Sequence, residues 1–291
     1  MPELPEVETV RQGLRPSMEG HRLIRVDIRR HDLRIPFPVD FQKRLVGRRI
    51  LRLWRRAKYI MAELDGNETL VIHLGMSGRM TVLTAEANQA PGAFHLTVAK
   101  SDAGQGKHDH VVLETDAPAH IVFTDHRRFG LMTLVDTESI DSHKLFKDLG
   151  LEPLSGSFDA AHLKRSLAGK KTPIKSALLD QHVIAGLGNI YVCEALWRAG
   201  ISPRKRAARV APAKIQLLTQ AIQAVLKEAI VAGGSSLRDH RQTNGDLGYF
   251  QKEFAVYDRE GESCMRPACT GIVRRIVQSG RSTFYCPDCQ K

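Results

Sequence analysis

The sequence predicts a two-domain α+β protein, an N-terminal antiparallel β-sandwich behind a leading helix followed by a helical domain that ends in a cysteine-bearing β-hairpin. Three observations predict it. Strand-like alternation occupies the first 136 residues, helical periodicity takes over after residue 157, and four of the five cysteines lie at or beyond Cys264.

The leading helix rests on Pro5, Glu6 and Glu8, an early proline with acids in the first turn, after which Val7, Val10 and Leu14 fall on one face. Six β-rich segments follow, from His21 to Arg30, Arg48 to Leu64, Thr69 to Leu74, His110 to Glu114, Ile121 to Asp125 and Leu131 to Val135. Thr84 to Gly106, with Ala, Gly, Asn and Gln, reads as a long loop or an insertion. From Thr137 to Ser157 the pattern loosens into a linker. Helical periodicity then marks Ala160 to Ala168, Ile174 to Gln181, Asn189 to Ala199, and Pro212 to Ala232, where Ile215, Leu218, Ile222, Leu226 and Ile230 form one core stripe. The expected division is therefore a sandwich over 1–136, a linker over 137–157, a helical domain over 158–254 and a hairpin over 255–291.

The cysteines give the hairpin its chemistry. Cys264, Cys269, Cys286 and Cys289 are spaced C-x4-C and C-x2-C, paired knuckles that set four thiolates around a zinc ion, with Gly271 and Gly280 permitting tight turns. Disulfides are the alternative, and they require an oxidising compartment to which nothing in the chain points. The expectation is one structural zinc per chain. Between the knuckles, Ile272 to Val277 and Arg281 to Tyr285 read as a two-stranded ribbon carrying arginines, suited to a DNA groove. Cys193 falls in a helical run and reads as a small buried hydrophobe.

Charge points the same way. Lys and Arg number 43 against 32 Asp and Glu, for a net charge of +11. From Ile201 onward 15 basic residues face 8 acidic ones, so +7 of that charge sits in the C-terminal third. Such an excess suits a polyanion, although a basic surface also serves solubility. No run approaches a membrane span and no signal peptide precedes Pro2, which places the expected protein in the cytoplasm, away from membranes.

Two local features carry chemistry. With Met1 removed, Pro2 presents a secondary amine, and an α-amino group of pKa about 7.7 to 8 is partly deprotonated near neutrality and able to attack a sugar C1′. The product is an iminium, cationic without taking up a proton and so an electron sink for eliminations along the sugar. Glu3 beside it is placed to act as an acid if burial or Glu6 raises its pKa. The same residues also make an ordinary helix start. The second feature is Val183 to Tyr191, a Gly-rich turn into a helix with Asn189 as its expected N-cap and Lys175 upstream, able to bind phosphate. A plain helix-to-helix turn has the same look.

Terminus, turn and cysteine comb occur in an order that resembles the formamidopyrimidine-DNA glycosylases, bacterial enzymes of oxidised-purine repair. The matching runs are Pro2 to Thr9, Lys58-Tyr59, His73 to Gly78, Lys107 to His110, Asp125 to Gly130, Gly186 to Tyr191 and the zinc ribbon, so the resemblance spans essentially the whole chain. It implies a helix-two-turn-helix element in the second domain, damaged double-stranded DNA as partner, a monomer, and residence with bacterial nucleoid DNA. It further implies Pro2 as nucleophile, Glu3 as general acid, Glu6 as a second carboxylate near the sugar, and Lys58, on a strand, reaching the lesion and a phosphate. Met76 and Phe129 would be apolar wedges filling the place of an extruded base, with Arg127 addressing its orphaned partner. His108, Lys175, Asn189 and Arg281 would hold the phosphate backbone, and Ser235 to Tyr249 would close on the flipped base.

The chain departs from the family pattern in a four-residue first knuckle, Met265 to Ala268, where two is common, and in the length of the Thr84 to Gly106 segment. Two rival readings remain in view. The related endonucleases for oxidised pyrimidines usually carry Gly where this chain has Leu4. A zinc-containing damage-binding protein without catalysis is told apart by retention of Met1.

Overall fold

The computed structural model describes residues 2–84, 106–117, 119–235, 243 and 248–291. The chain forms two compact units, Met1–Lys147 with Gly233–Tyr249, and Asp148–Ala232 with Phe250–Lys291.

In the first unit, helix α1 (Leu4–Met18) buries Val7, Val10 and Leu14 on the expected face. Two four-stranded antiparallel sheets follow. One has the order β1-β6-β7-β5, built from Leu23–Ile28, Asp109–Thr115, Ala119–Thr124 and Arg79–Thr84. The other has the order β2-β3-β4-β8, from Ile50–Arg56, Tyr59–Leu64, Glu68–His73 and Leu131–Asp136. One apolar core joins α1 to both sheets, through Leu14, Val26, Leu53, Ile60, Ile72, Val111 and Phe123 among others. This is the predicted sandwich.

Three elements differ from the expectation. The run from Arg48 to Leu64 is a hairpin rather than one strand, broken at Ala57 and Lys58, with Ala57 at φ 53°. No Gly or Asn marks that turn, so the alternation reads straight through it. Strand β5 and the short helix α2 (Phe41–Leu45) lie outside the six predicted segments. The segment from Thr84 to Gly106 falls almost wholly outside the described residues, as does most of Ser235 to Tyr249.

In the second unit, α3 (Ala160–Leu167), α4 (Ile174–Leu179), α5 (Asn189–Arg198) and α6 (Pro212–Val231) occupy the predicted helical runs, and β9 (Arg274–Gln278) and β10 (Arg281–Tyr285) form the two-stranded ribbon. Helix α6 buries Ile215, Leu218, Ile222 and Leu226. A small second core sets Cys193 of α5 against Val256, Val273 and Phe284 of the ribbon segment. No helix among the described residues is long and apolar enough to cross a membrane.

Candidate functional site

The head of α1 is built as a buried acidic corner. Pro2, Glu3 and Glu6 are all buried. The N–H of Glu3, the N-cap residue, donates to Glu6 Oε2 at 2.8 Å, which satisfies an otherwise orphaned helix donor and brings the two carboxylate residues together. Glu6 Oε1 accepts from both the N–H and the hydroxyl of Ser235, at 2.8 and 3.0 Å. Gly234 makes this approach possible, because a Cβ there would sit 3.1 Å from Glu6 Cγ and its φ is +78°.

Lys58 lies in the β2–β3 turn, not on a strand as expected, and is buried. Its turn is clamped to α1 by Arg55, which donates to Ala57 O at 2.7 Å and pairs with Glu8 at 3.4 Å. Arg11 completes the clamp with bonds to Glu8 and to Leu53 O. Burial opposes the charge of Glu8, but bonds from Arg11 and Gln12 and the charges of Arg11 and Arg55 hold its carboxyl below the usual range. His73 packs against Tyr59 with ring centres 4.8 Å apart and planes tilted by 49°. Burial first, then the positive charges of Lys58 and Arg34, push its imidazole down to about 4, so it is neutral at physiological pH and its Nδ1 accepts the N–H of Gly75 at 3.0 Å.

Met76 and Phe129 project into solvent, 39% and 42% exposed, from neighbouring turns of this unit. Buried elsewhere, such side chains would be core; exposed on tight turns they are free to enter a partner. The Arg127 guanidinium lies 4.7 Å over the Phe129 ring, so the cation and the wedge form one stacked pair. Backbone contact makes the two turns a single surface, since a Cβ at Gly75 would lie 2.3 Å from Phe129 C. His108 is exposed on the turn before β6, its ring 6.2 Å from that of His126.

In the second unit the structure brings Lys175, Asn189 and the start of β10 together. Lys175 is fully buried and donates to Ser282 O at 3.3 Å, and Asn189 Nδ2 donates to the same oxygen at 2.9 Å. Arg281, the preceding residue, is exposed. Gly188 and not Asn189 is the N-cap of α5, because Asn189 already has helical geometry and its amide is turned to Ser282 and the Tyr257 hydroxyl. Sequence reasoning missed Glu194, whose fully buried carboxylate accepts the N–H groups of Ala255, Val256 and Tyr257 at 2.9 to 3.0 Å. Burial raises its carboxyl pKa and those three donors oppose the rise. A lone Glu in a helical run carries no mark of this role.

The four cysteines fit a tetrathiolate zinc site. Their sulfurs lie within 4.8 Å of one another, and Cys264–Cys289 and Cys269–Cys286 are each 3.7 Å apart. A tetrahedron of Zn–S bonds about 2.3 Å long has edges of about 3.8 Å. Gly271 admits the sulfurs, since a Cβ there would lie 2.7 Å from Cys286 Sγ, and Trp197 Nε1 donates to Cys264 Sγ at 3.4 Å. Four thiolates leave no open position, so the ion is structural. The longer first knuckle is used as well, because its Arg266 stacks on Trp197 at 5.0 Å and donates to Trp197 O at the end of α5.

A helix-led sandwich with an acidic N-terminal corner, a helical module and a zinc ribbon together define a DNA glycosylase of the helix-two-turn-helix class. The chain belongs to the formamidopyrimidine-DNA glycosylase family. Residues 1–132 match the formamidopyrimidine-DNA glycosylase N-terminal domain, 149–241 the corresponding H2TH domain and 261–291 the zinc finger found in FPG and IleRS. The chain is 60% identical to the formamidopyrimidine-DNA glycosylase of Dinoroseobacter shibae and 56% identical to that of a Jannaschia species, in both cases over the full length of both chains. Its fold matches a Lactococcus lactis FPG variant in complex with DNA containing Fapy-dG, with a TM-score of 0.85 at 34% identity and full coverage of both chains. It also matches MutM (FPG) of Thermus thermophilus at 0.82, with 38% identity over 99% of this chain and 98% of that one.

Proposed function

We propose that this chain flips and excises oxidised purines, 8-oxoguanine and formamidopyrimidines, from double-stranded DNA and then cuts the strand by β,δ-elimination. The observation that carries this reading is the acidic corner at the head of α1, where Pro2 adjoins two buried carboxylate residues linked by the Glu3 N–H to Glu6 bond.

Once Met1 is removed, the Pro2 nitrogen attacks C1′, the base departs with its bonding electrons, and the proton that the amine gives up neutralises the base. Glu3 protonates the ring oxygen as the sugar opens, leaving an iminium between Pro2 and C1′. Loss of a C2′ proton expels the 3′ phosphate and a second elimination expels the 5′ phosphate, after which water releases the sugar fragment and regenerates the amine. Glu6 orients the corner, and Lys58 reaches the lesion and a phosphate. Met76 and Phe129 fill the emptied stack while Arg127 reads the orphaned base. His108, Lys175, Asn189 and Arg281 hold the backbone, and zinc supports the ribbon that carries Arg281. The working division is a catalytic sandwich over 1–136, a linker over 137–157, a helical DNA-binding domain over 158–254 and a zinc hairpin over 255–291. The place of action is the cytoplasm, on nucleoid DNA.

The test is cleavage of duplexes carrying one 8-oxoguanine, with borohydride present to reduce the iminium. Strand cleavage and a covalent adduct mapped to Pro2 are expected, and both are lost when Met1 is retained. An adduct on Lys58, or none, overturns the nucleophile assignment.

A further inference from the structure

Asp125 follows β7 and is fully buried. Its carboxylate faces the two turns that carry Met76, Arg127 and Phe129. Oδ1 accepts the Ser77 hydroxyl at 2.5 Å and the Arg127 N–H at 3.3 Å, and Oδ2 accepts the Gly130 N–H at 2.8 Å. Ser77 Oγ in turn accepts the Arg127 N–H at 3.3 Å, closing a small network. The backbone of Asp125 adds to it, its N–H donating to His108 O at 3.0 Å and its carbonyl receiving His110 Nε2 at 2.8 Å.

Apart from the His110 bond, each of these falls on or beside a residue placed above at the DNA. Ser77 follows Met76, Arg127 is held at its own nitrogen, Gly130 follows Phe129, and His108 is held at its carbonyl. Arg128, between the stacked pair, has φ 57°, a left-handed conformation that a non-glycine residue keeps only where its surroundings enforce it. Gly130 has no room for a side chain, since a Cβ would lie 2.7 Å from Phe123 Cζ and 2.9 Å from His73 O.

We propose that Asp125 is a positioning residue that locks the Met76 turn and the Arg127–Phe129 turn into one wedge, and so sets discrimination of the base opposite the lesion. The proposal rests on the glycosylase reading above. Asp125 touches no DNA itself. It acts by fixing where the Arg127 donors stand, and a displacement of about 1 Å at such a group costs on the order of a hundredfold in rate.

The experiment compares wild type, Asp125→Ala, Asp125→Asn and Ser77→Ala on 8-oxoguanine opposite cytosine and opposite adenine, with active enzyme counted by borohydride trapping on an abasic duplex. For Asp125→Ala, kcat/KM opposite cytosine should fall about ten- to a hundredfold and the cytosine-to-adenine ratio should narrow to within about twofold. Asp125→Asn should retain most of the ratio, because its amide oxygen still accepts from Gly130, its nitrogen can donate to Ser77 Oγ, and the Arg127 N–H, which loses Oδ1, keeps Ser77 Oγ as acceptor. Ser77→Ala removes one leg and narrows the ratio partly, which keeps the test open if Asp125→Ala does not fold. A purely structural aspartate would lower the yield of active enzyme and leave the ratio of the survivors unchanged, and that result overturns the proposal. Wild type that leaves 8-oxoguanine intact would instead overturn the functional reading.

Discussion

Glu6 and Ser235 stand 229 residues apart in the chain and are joined twice, the N–H and the hydroxyl of Ser235 both donating to Glu6 Oε1. With Glu3 N–H on the other oxygen, the carboxylate accepts three bonds in a buried corner. Glu6→Gln replaces one acceptor oxygen by a donor and leaves a buried N–H facing it, a cost of about 1 to 3 kcal/mol in stability. Ser235→Ala removes the hydroxyl alone and should cost about 0.5 to 1.5 kcal/mol. Chemical denaturation measures both, and a wild-type midpoint for Glu6→Gln would show that the buried N–H groups do not depend on the carboxylate.

Gly13 sits in the middle of α1, where glycine is about 1 kcal/mol worse than alanine in an open helix. Here alanine should lose. A Cβ at this position would lie 2.0 Å from Thr243 Oγ1 and 3.1 Å from its Cβ and Cγ2. Thr243 cannot step aside freely, since it is buried and its carbonyl accepts the Val82 N–H at 2.9 Å. Overpacking costs about 1 to 3 kcal/mol, so Gly13→Ala should lower Tm, and adding Thr243→Gly should relieve the clash and recover most of the loss. A rise in Tm for Gly13→Ala alone would contradict the packing.

Val256, Val273 and Phe284 pack against Cys193, with Trp197 and Tyr257 partly buried beside them, a core too small to hold about 30 residues without an ion. Cys286→Ser should therefore lose zinc and specific DNA affinity while the sandwich unit keeps its secondary structure. Metal content, circular dichroism and a binding titration read the three effects separately. Full affinity after chelation would refute the dependence.

Arg127 offers only donors, and the exposed edge of cytosine presents two adjacent acceptors where adenine presents one beside a competing donor. A bidentate contact worth about 1 to 3 kcal/mol predicts 8-oxoguanine opposite cytosine to be processed roughly five- to a hundredfold faster than opposite adenine. Arg127→Ala should lower activity and narrow that ratio. Phe129→Ala should lower activity on both duplexes alike, because an apolar wedge is blind to base identity. An undiminished cytosine preference in Arg127→Ala would place discrimination elsewhere.

What the sequence by itself determined is what local pattern can carry. Val7, Val10 and Leu14 announce the buried face of α1, the stripe on α6 announces its core side, and the spacing of Cys264, Cys269, Cys286 and Cys289 announces a metal site, because period and spacing are properties of a single stretch of chain. The tertiary structure decided the rest. The turn at Ala57 and Lys58 has no glycine to mark it, and its shape follows from Arg55 bridging Glu8 and Ala57 O. The N-cap fell to Gly188 because Asn189 was drawn to Ser282 O, 93 residues away. Asp125 meets the Ser77 hydroxyl from 48 residues away, and Glu194 and Glu6 owe their roles largely to backbone N–H groups from distant segments. Almost every residue carries that same donor, so the chain's letters record the carboxylates but not which strand or turn will arrive to meet them.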